Sequence, residues 1–243
     1  DFTPEMGNEK FGEMIDLYKK YNIDPVKRLL KIAKECGVKH CVILGSYFSY
    51  FAKARPQMHL TEYHPYIRSR IDQEKVAMSF ADDNFDVAVL ELPYIFGTQP
   101  GRKPVWVFLV ESIRKMPGVT MWPKGGSTMV TVKQVGQAIA GAIERNKGGN
   151  CYPIGYYNLT WKEMLTICHK HLGCPNKKII TIPDWMYGMA GKSIVKQQKY
   201  RFIKGSRHAF TSSVFIAPAW FITVRFIACC FIIQYAGRRR NAA

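Results

Sequence analysis

Two short apolar runs constrain this chain most. Val38–Leu44 (VKHCVIL) and Phe85–Leu92 (FDVAVLEL) are rich in Val, Ile and Leu, without the alternation of a half-exposed strand. Such runs suit strands buried on both faces, the habit of parallel sheets covered by helices. Each is preceded by a helical pattern. Asp24-Pro25 opens one helix, Val26, Leu29, Leu30 and Ala33 follow at helical spacing, and Gly37 supplies the stop. Pro65 to about Asp82 supplies the second, with Ile67, Ile71 and Met78 on one side. Helix–strand–helix–strand order with short connections predicts an α/β fold with a parallel sheet. Ligands of such sheets bind beyond the carboxyl ends of the strands. Those ends are Gly45-Ser46 and Pro93-Tyr94.

The third stretch is expected to form a smaller α/β lobe. Pro104–Lys115 reads as a helix, Val119–Trp122 as a short strand, and Lys124-Gly125-Gly126-Ser127 as a turn. Val132, Val135, Ile139 and Ile143 mark an amphipathic helix, and Thr160-Trp161-Lys162-Glu163 is a capping box that opens a helix through Leu172. The expected division is 1–103, 104–191 and a tail, 192–243.

That tail carries the charge. The chain holds 35 Lys and Arg against 18 Asp and Glu, a net charge of +17, yet no acidic residue follows Asp184. Ten of the basic residues lie between Lys192 and Arg240, which leaves 25 basic and 18 acidic before them, or +7. The basic excess therefore belongs mostly to the tail and, without a recognisable binding module, does not mark a nucleic-acid protein. Val214–Tyr235 has the length of a membrane span, with Arg238-Arg239-Arg240 as a cytoplasmic flank. Pro218 and the central Arg225 oppose that reading, an Arg there costing about 2.5–3.5 kcal/mol on insertion scales. A membrane segment and a non-native tail both stay open. Seven cysteines without paired secretory spacing, and an acidic start without an apolar run, point to a reducing, cytoplasmic setting. Cys168, His169, His171 and Cys174 do not form an expected metal site. On a helix, positions 169 and 171 diverge by about 200°.

Four passages together resemble the extended short-chain dehydrogenase/reductase family of nucleotide-sugar epimerases, dehydratases and dihydroflavonol-reductase-like proteins. Asn22–Leu30 is similar to the family's Asn-Val-x-Gly-Thr-x-Asn-Leu-Leu helix start, and Val38–Tyr50 to the strand ending in its catalytic Ser. Leu90–Thr98 (LELPYIFGT) resembles the segment beside the nicotinamide, and Tyr152-Pro153-Ile154-Gly155 with the Thr160 helix resembles the C-terminal lobe. The resemblance covers residues 20 to about 190 and implies an incomplete Rossmann-like doubly wound parallel sheet with a small C-terminal α/β substrate lobe.

The resemblance also implies a reaction. NAD or NADP would be the cofactor, a small carbonyl or hydroxyl compound the substrate, and a homodimer is common. Ser46 would bond the substrate oxygen, Lys75 would hold the nicotinamide ribose, and Pro93, Tyr94 and Ile95 would border the cofactor. Counted from Ser46, the family's acid/base Tyr falls on Ile71, which has no proton to give. Tyr66, with Arg70 four residues on, is the substitute, and Tyr47 is a further phenol near Ser46. Glu91 replaces an Arg of the nicotinamide-side segment, Tyr94 an Asn, and Gln134 an Asp. No glycine-rich loop of the dinucleotide type follows a strand: Gly7 and Gly12 lie in an acidic context, and Gly125-Gly126 follow the wrong elements. The family's first strands are therefore expected to be missing, leaving cofactor binding weak. A non-catalytic cofactor-sensing or partner-binding protein that kept the fold is the alternative.

Overall fold

A computed structural model of the chain describes residues 11–104 and 106–183. The first helix, α1 (Phe11–Tyr18), runs through a π-helical turn at Lys19–Ile23 into α2 (Asp24–Glu35). The helix expected to open at Asp24-Pro25 therefore begins earlier. Pro25 explains the turn, because a proline inside a helix removes one N–H and leaves a carbonyl behind it unpaired. Widening the turn directs the Asp24 N–H to the Lys19 carbonyl, and the Asn22 carbonyl accepts instead from Gln73 Nε2 at 2.7 Å.

The chain then alternates. Strand β1 (His40–Ser46) leads into α3 (Tyr47–Ala54), a short 3-10 turn, α4 (Leu60–Tyr63) and α5 (Pro65–Met78), and returns through β2 (Asp86–Leu92). β1 and β2 pair in parallel from His40 opposite Asp86 to Ser46 opposite Leu92. On the other side of β2 lies β6 (Gly149–Pro153), again parallel.

Side-chain parity explains the apolar runs. Cys41, Ile43, Val87 and Val89 face Val26 and Leu30 of α2 and Ala77 of α5. Val42, Ala88, Leu90 and Leu92 pack on the opposite face against Val135 and Ala142 of α7 (Val132–Arg145). Helices thus cover both faces of a parallel sheet, the doubly wound arrangement. One expected boundary is crossed. The sequence division places everything after residue 104 outside this layer, yet α7 and β6 return to it, because Val135, Ile139 and Ala142 form the stripe that caps the second face.

Smaller sheets flank this core. β3 (Tyr94–Phe96), β5 (Gly126–Thr131) and β7 (Tyr157–Thr160) form one, with β5 between the others. β4 (Val119–Pro123) pairs in parallel with β8 (Lys178–Ile182). Helices α6 (Val107–Lys115) and α8 (Trp161–His171) join them through Ile113, Met129, Trp161, Met164 and Leu165. Buried His169 binds Thr120 Oγ1 through Nε2 at 2.8 Å and so ties α8 to β4. Gly126, expected in a turn, instead starts β5; a Cβ there would meet the Leu159 carbonyl oxygen at 2.4 Å, so only glycine lets β7 approach. The expected capping box of Thr160 with Glu163 forms, and the structure adds a second, Thr131 with Gln134. Among the described residues no helix is long and apolar enough to cross a membrane, and the Val214–Tyr235 stretch lies outside them.

Leu90 is buried to 1% exposure at the centre of the three-stranded sheet. Leu90→Ala is expected to lower unfolding stability by about 2–5 kcal/mol, measured by urea denaturation. A loss no larger than that of an exposed leucine such as Leu29→Ala would contradict the central placement of β2.

Candidate functional site

The chain leaves the first sheet for the second at two places, across Pro93 between β2 and β3 and across residues 154–156 between β6 and β7. Both crossings lie at carboxyl ends of parallel strands. A cavity of about 620 Å³ opens beside them, within the size range of small-molecule sites.

Two chemically different walls line it. One is α3, which presents Tyr47, Phe48, Tyr50 and Phe51, with Ala54 and Arg55 beyond them. Ser46 caps this helix: its Oγ accepts the Phe48 N–H at 3.4 Å, and extended backbone at Ser46 turns the chain from strand to helix. Ser46 is buried but borders the cavity, so its hydroxyl proton can reach a bound oxygen. The other wall comes from β5 and β7, with Ser127, Thr128 and Asn158; Thr128 Oγ1 donates to Asn158 Oδ1 at 2.7 Å. Pro93 and Tyr94 close the end. Burial pushes the Tyr94 phenol up to about 12, and its ring sits edge-on to Trp106 at 4.9 Å. It stays protonated across the physiological range.

The expected residues divide into three groups. Ser46, Pro93 and Tyr94 meet at the cavity, as does Tyr47. Ile95 turns away; its side chain packs in the core beside Val130 and Val135, while its carbonyl accepts the Trp106 indole N–H at 2.6 Å. Tyr66 stands one layer behind the cavity wall, its ring edge-on to Phe48 at 6.2 Å. Lys75 is placed elsewhere. Its side chain is 74% exposed and its ammonium lies 3.7 Å from Asp72. Nine residues separate it from Tyr66, about 180° around a helix, so the two cannot serve one centre. Ile71, the position counted from Ser46, is half-buried on α5.

What does accompany Tyr66 is Arg70, one turn on. Arg70 Nε donates to the Tyr66 hydroxyl at 3.2 Å, and the guanidinium lies 5.3 Å from the Tyr66 ring centroid. The guanidinium is itself held by Gln73 Oε1 at 2.7 Å, and Gln73 Nε2 donates to the Asn22 carbonyl at 2.7 Å. Asn22 Nδ2 donates to Ser69 Oγ at 3.2 Å, which donates to the Tyr66 carbonyl at 2.7 Å. This buried chain fixes both partners of the phenol–cation pair.

A second polar group adjoins it, and sequence reading did not find it. Lys53 of α3 lies 2.8 Å from Glu74 of α5 and 2.8 Å from Glu91 of β2, both carboxylates being almost fully buried. The cation thus ties the cavity's aromatic wall to the helix that carries Tyr66 and to the strand that leads to Pro93. Burial works to lower the Lys53 pKa, but its bonds to Glu74 and Glu91 outweigh this and raise it. Burial pushes Glu91 up to about 7, with repulsion from Glu74 adding to it and Lys53 opposing. The only available signal was an acidic residue inside an otherwise apolar run, Glu91 in VAVLEL. The aromatic wall was more legible, since positions 47, 50, 51 and 54 follow helical spacing.

No family model matches the sequence, and no curated protein matches it. Solved structures do. The dTDP-glucose 4,6-dehydratase DesIV from Streptomyces venezuelae, solved with NAD and TYD bound, superposes with a TM-score of 0.52 at 17% identity, over 69% of this chain and 55% of that one. RMD from Pseudomonas aeruginosa, complexed with NADPH, gives 0.51 at 16% identity over 66% and 59%. The protein gox2253 gives 0.64 at 16% identity over 86% and 67%. The fold is therefore the Rossmann-like α/β fold of these structures. The chain spans just over half the length of the DesIV structures, 55% in one and 57% in the other.

The Glu91 group sets a pH dependence of stability. Its folded pKa, about 7, lies above the ordinary 4.5. The native state therefore holds a proton that the unfolded chain has released. That contribution is complete below pH 4.5 and is lost as pH rises through 7. Thermal or urea unfolding should show on the order of 2 kcal/mol less stability at pH 8 than at pH 5. Glu91→Gln, which keeps the neutral form, should remove most of that difference; an unchanged pH dependence in this variant would refute the assignment.

Proposed function

We propose that this chain is the later part of an NAD(P)-dependent oxidoreductase or epimerase/dehydratase that acts on a carbonyl or hydroxyl compound bound in the cavity at the ends of β1 and β2. The observation that carries the reading is the buried Tyr66–Arg70 pair one layer behind a cavity that the strand-end serine, Ser46, helps to line. Such a reaction needs a proton donor or acceptor at the oxygen borne by the carbon that gains or loses hydride. Residues 107–131 and 157–182 are read as the substrate-side lobe.

Each residue has a distinct task. Ser46 donates its hydroxyl proton to the substrate oxygen while its own oxygen accepts the Phe48 N–H. Tyr66 gives or takes the reaction proton at its hydroxyl. Arg70, always charged, holds the phenol in position through its Nε–H. A lysine would do this as a point charge; the guanidinium reaches Tyr66 and Gln73 together, which its rigid fork permits. Phe48 lies between Tyr66 and the cavity, so closure on substrate requires its ring to shift.

The nicotinamide cofactor supplies or accepts the hydride. The residues fit its reacting end: the carboxyl ends of β1 and β2, with Pro93 and Tyr94, are where a parallel sheet receives such a group. Among the described residues no glycine-rich turn joins a strand to a helix, so none offers a cradle for its pyrophosphate. The solved structures of the same fold include ones with NAD and NADPH, which supports this choice of cofactor. Cys36, Cys41, Cys151, Cys168 and Cys174 are free thiols, in keeping with a reducing, cytoplasmic compartment.

The test is turnover of NADH or NADPH against a panel of carbonyl compounds, with this chain extended at its front by a strand and glycine-rich turn of dinucleotide type. Tyr66→Phe and Ser46→Ala should each lower kcat by about 10²–10⁴. Arg70→Lys should retain more activity than Arg70→Met, and Lys75→Ala should leave turnover unchanged. Loss of activity in Lys75→Ala with none in Tyr66→Phe would place the chemistry on the other face of α5.

A further inference from the structure

Helix α3 docks differently from its neighbours. α2 and α5 are anchored by fully buried apolar side chains, Val26 and Leu30 in one, Ile67 and Ala77 in the other. The one fully buried side chain of α3 is Ser49, and its Oγ meets no hydrogen-bond partner among the described residues. Phe48, Phe51 and Ala52 are partly buried against the cluster of Tyr18, Leu60, Tyr66 and Ile67, and Tyr50 is exposed. A helix with so little buried apolar surface belongs to the low-stability end of a fold. Its flanks are turns. Ser46 ends β1 in extended backbone, and beyond Arg55 the chain passes through His59 at φ +49, in the left-handed region. Such element-terminal positions are where hinges form.

Against this stands Lys53. From the last turn of α3 its ammonium reaches Glu74 of α5 and Glu91 of β2, each at 2.8 Å. Cys151 of β6 also faces these carboxylates, and burial pushes its thiol up to about 11, so it stays neutral. The group therefore has two charge states. With one carboxyl protonated, a single carboxylate balances the ammonium. With both ionised, an unbalanced negative charge is buried between three elements.

We propose that Lys53 is a positioning residue for the cavity: it latches α3, which carries the aromatic wall, against α5 and β2, and α3 opens as a unit when the latch lets go. The opening is local, and β1, β2 and the helices α2, α5 and α7 stay folded through it. The latch does not depend on what the cavity binds, so it stands apart from the oxidoreductase reading and either can fail alone. Opening brings water to Glu91, whose pKa returns from about 7 to the ordinary 4.5. The closed state therefore holds more protons than the open one between those values. α3 is held most firmly below pH 4.5, and its hold weakens as pH rises through 7.

Amide hydrogen exchange in the 243-residue chain tests this, followed from pH 5 to pH 8 and corrected for the intrinsic exchange rate at each pH. Amides of α3 should exchange through an opening insensitive to low urea, and those of β2 only through one that urea promotes. Across that range the α3 opening constant should rise about ten- to a hundredfold. Glu91→Gln should abolish the rise and keep α3 protected throughout. Lys53→Met should speed α3 exchange at pH 5 by about tenfold or more, and Lys53→Arg, which still reaches both carboxylates, should restore protection. If Lys53→Met fails to fold, Glu91→Gln decides alone. Identical exchange and urea dependence for α3 and β2 would overturn the proposal. So would an α3 opening that ignores pH, one whose pH course survives Glu91→Gln, or one that Lys53→Met leaves as it was.

Discussion

The parallel pairing of β1 with β2 is the constraint on which the other features rest. A pair of parallel strands cannot be closed by a tight turn, so the chain between them must cross over, and here that crossover contains α3, α4 and α5. Because both faces of the pair are apolar, helices must cover both, and α2 and α5 take one while α7 takes the other. The strand ends are then the one edge of the layer where side chains of several elements converge without being packed shut. Ser46 and Leu92, opposite each other in the register, stand at that edge. The cavity's location follows from strand pairing before any catalytic residue is considered.

Polar residues inside this frame tie its parts together. Burying two carboxylates costs free energy, which the half-exposed ammonium of Lys53 offsets by bonding both. Lys53, Glu74 and Glu91 come from three different elements, so a single cation holds the helix of the cavity wall, the helix of Tyr66 and the strand of Pro93 in fixed relation. Glu91 is pushed up chiefly by burial, with the neighbouring Glu74 charge adding to it and Lys53 opposing. The second network, from Asn22 through Gln73 to Arg70, begins at the π-helical turn that Pro25 imposes. The Asn22 carbonyl orients the Gln73 amide, whose oxygen in turn holds the guanidinium beside Tyr66.

Much of the first layer was legible in the sequence because periodicity and parity are local. The two apolar runs, the capping box at Thr160 and the helix starting at Pro65 each declare themselves within a dozen residues. The short strands β3, β5, β6 and β7 did not. They are three to six residues long, too short to show a period, and β5, β6 and β7 carry Gly, Pro or Asn that read as turns. Lys53 was invisible for a different reason: its importance comes from two carboxylates 21 and 38 residues away, and no pattern along the chain links them. Likewise, the continuation of α1 into α2 went unread, since Asp-Pro is an ordinary helix start unless a π-helical turn absorbs the proline.

The contrast between Lys75 and Arg70 shows where counting from a landmark fails. Spacing from Ser46 assumes a fixed path to α5, but the chain first forms α3, a 3-10 turn and α4, with His59 in the left-handed region between the last two. Any change in these short pieces slides α5 relative to Ser46 and leaves its helical phase untouched. Phase is the more reliable ruler, because it is set by which side chains the sheet buries. On that ruler Tyr66, Arg70, Gln73, Glu74 and Ala77 share the buried side and Lys75 does not. Ile71 lies half-buried on the same helix, while the phenol–cation pair that the helix does hold, Tyr66 with Arg70, stands one turn earlier and carries arginine as its cation.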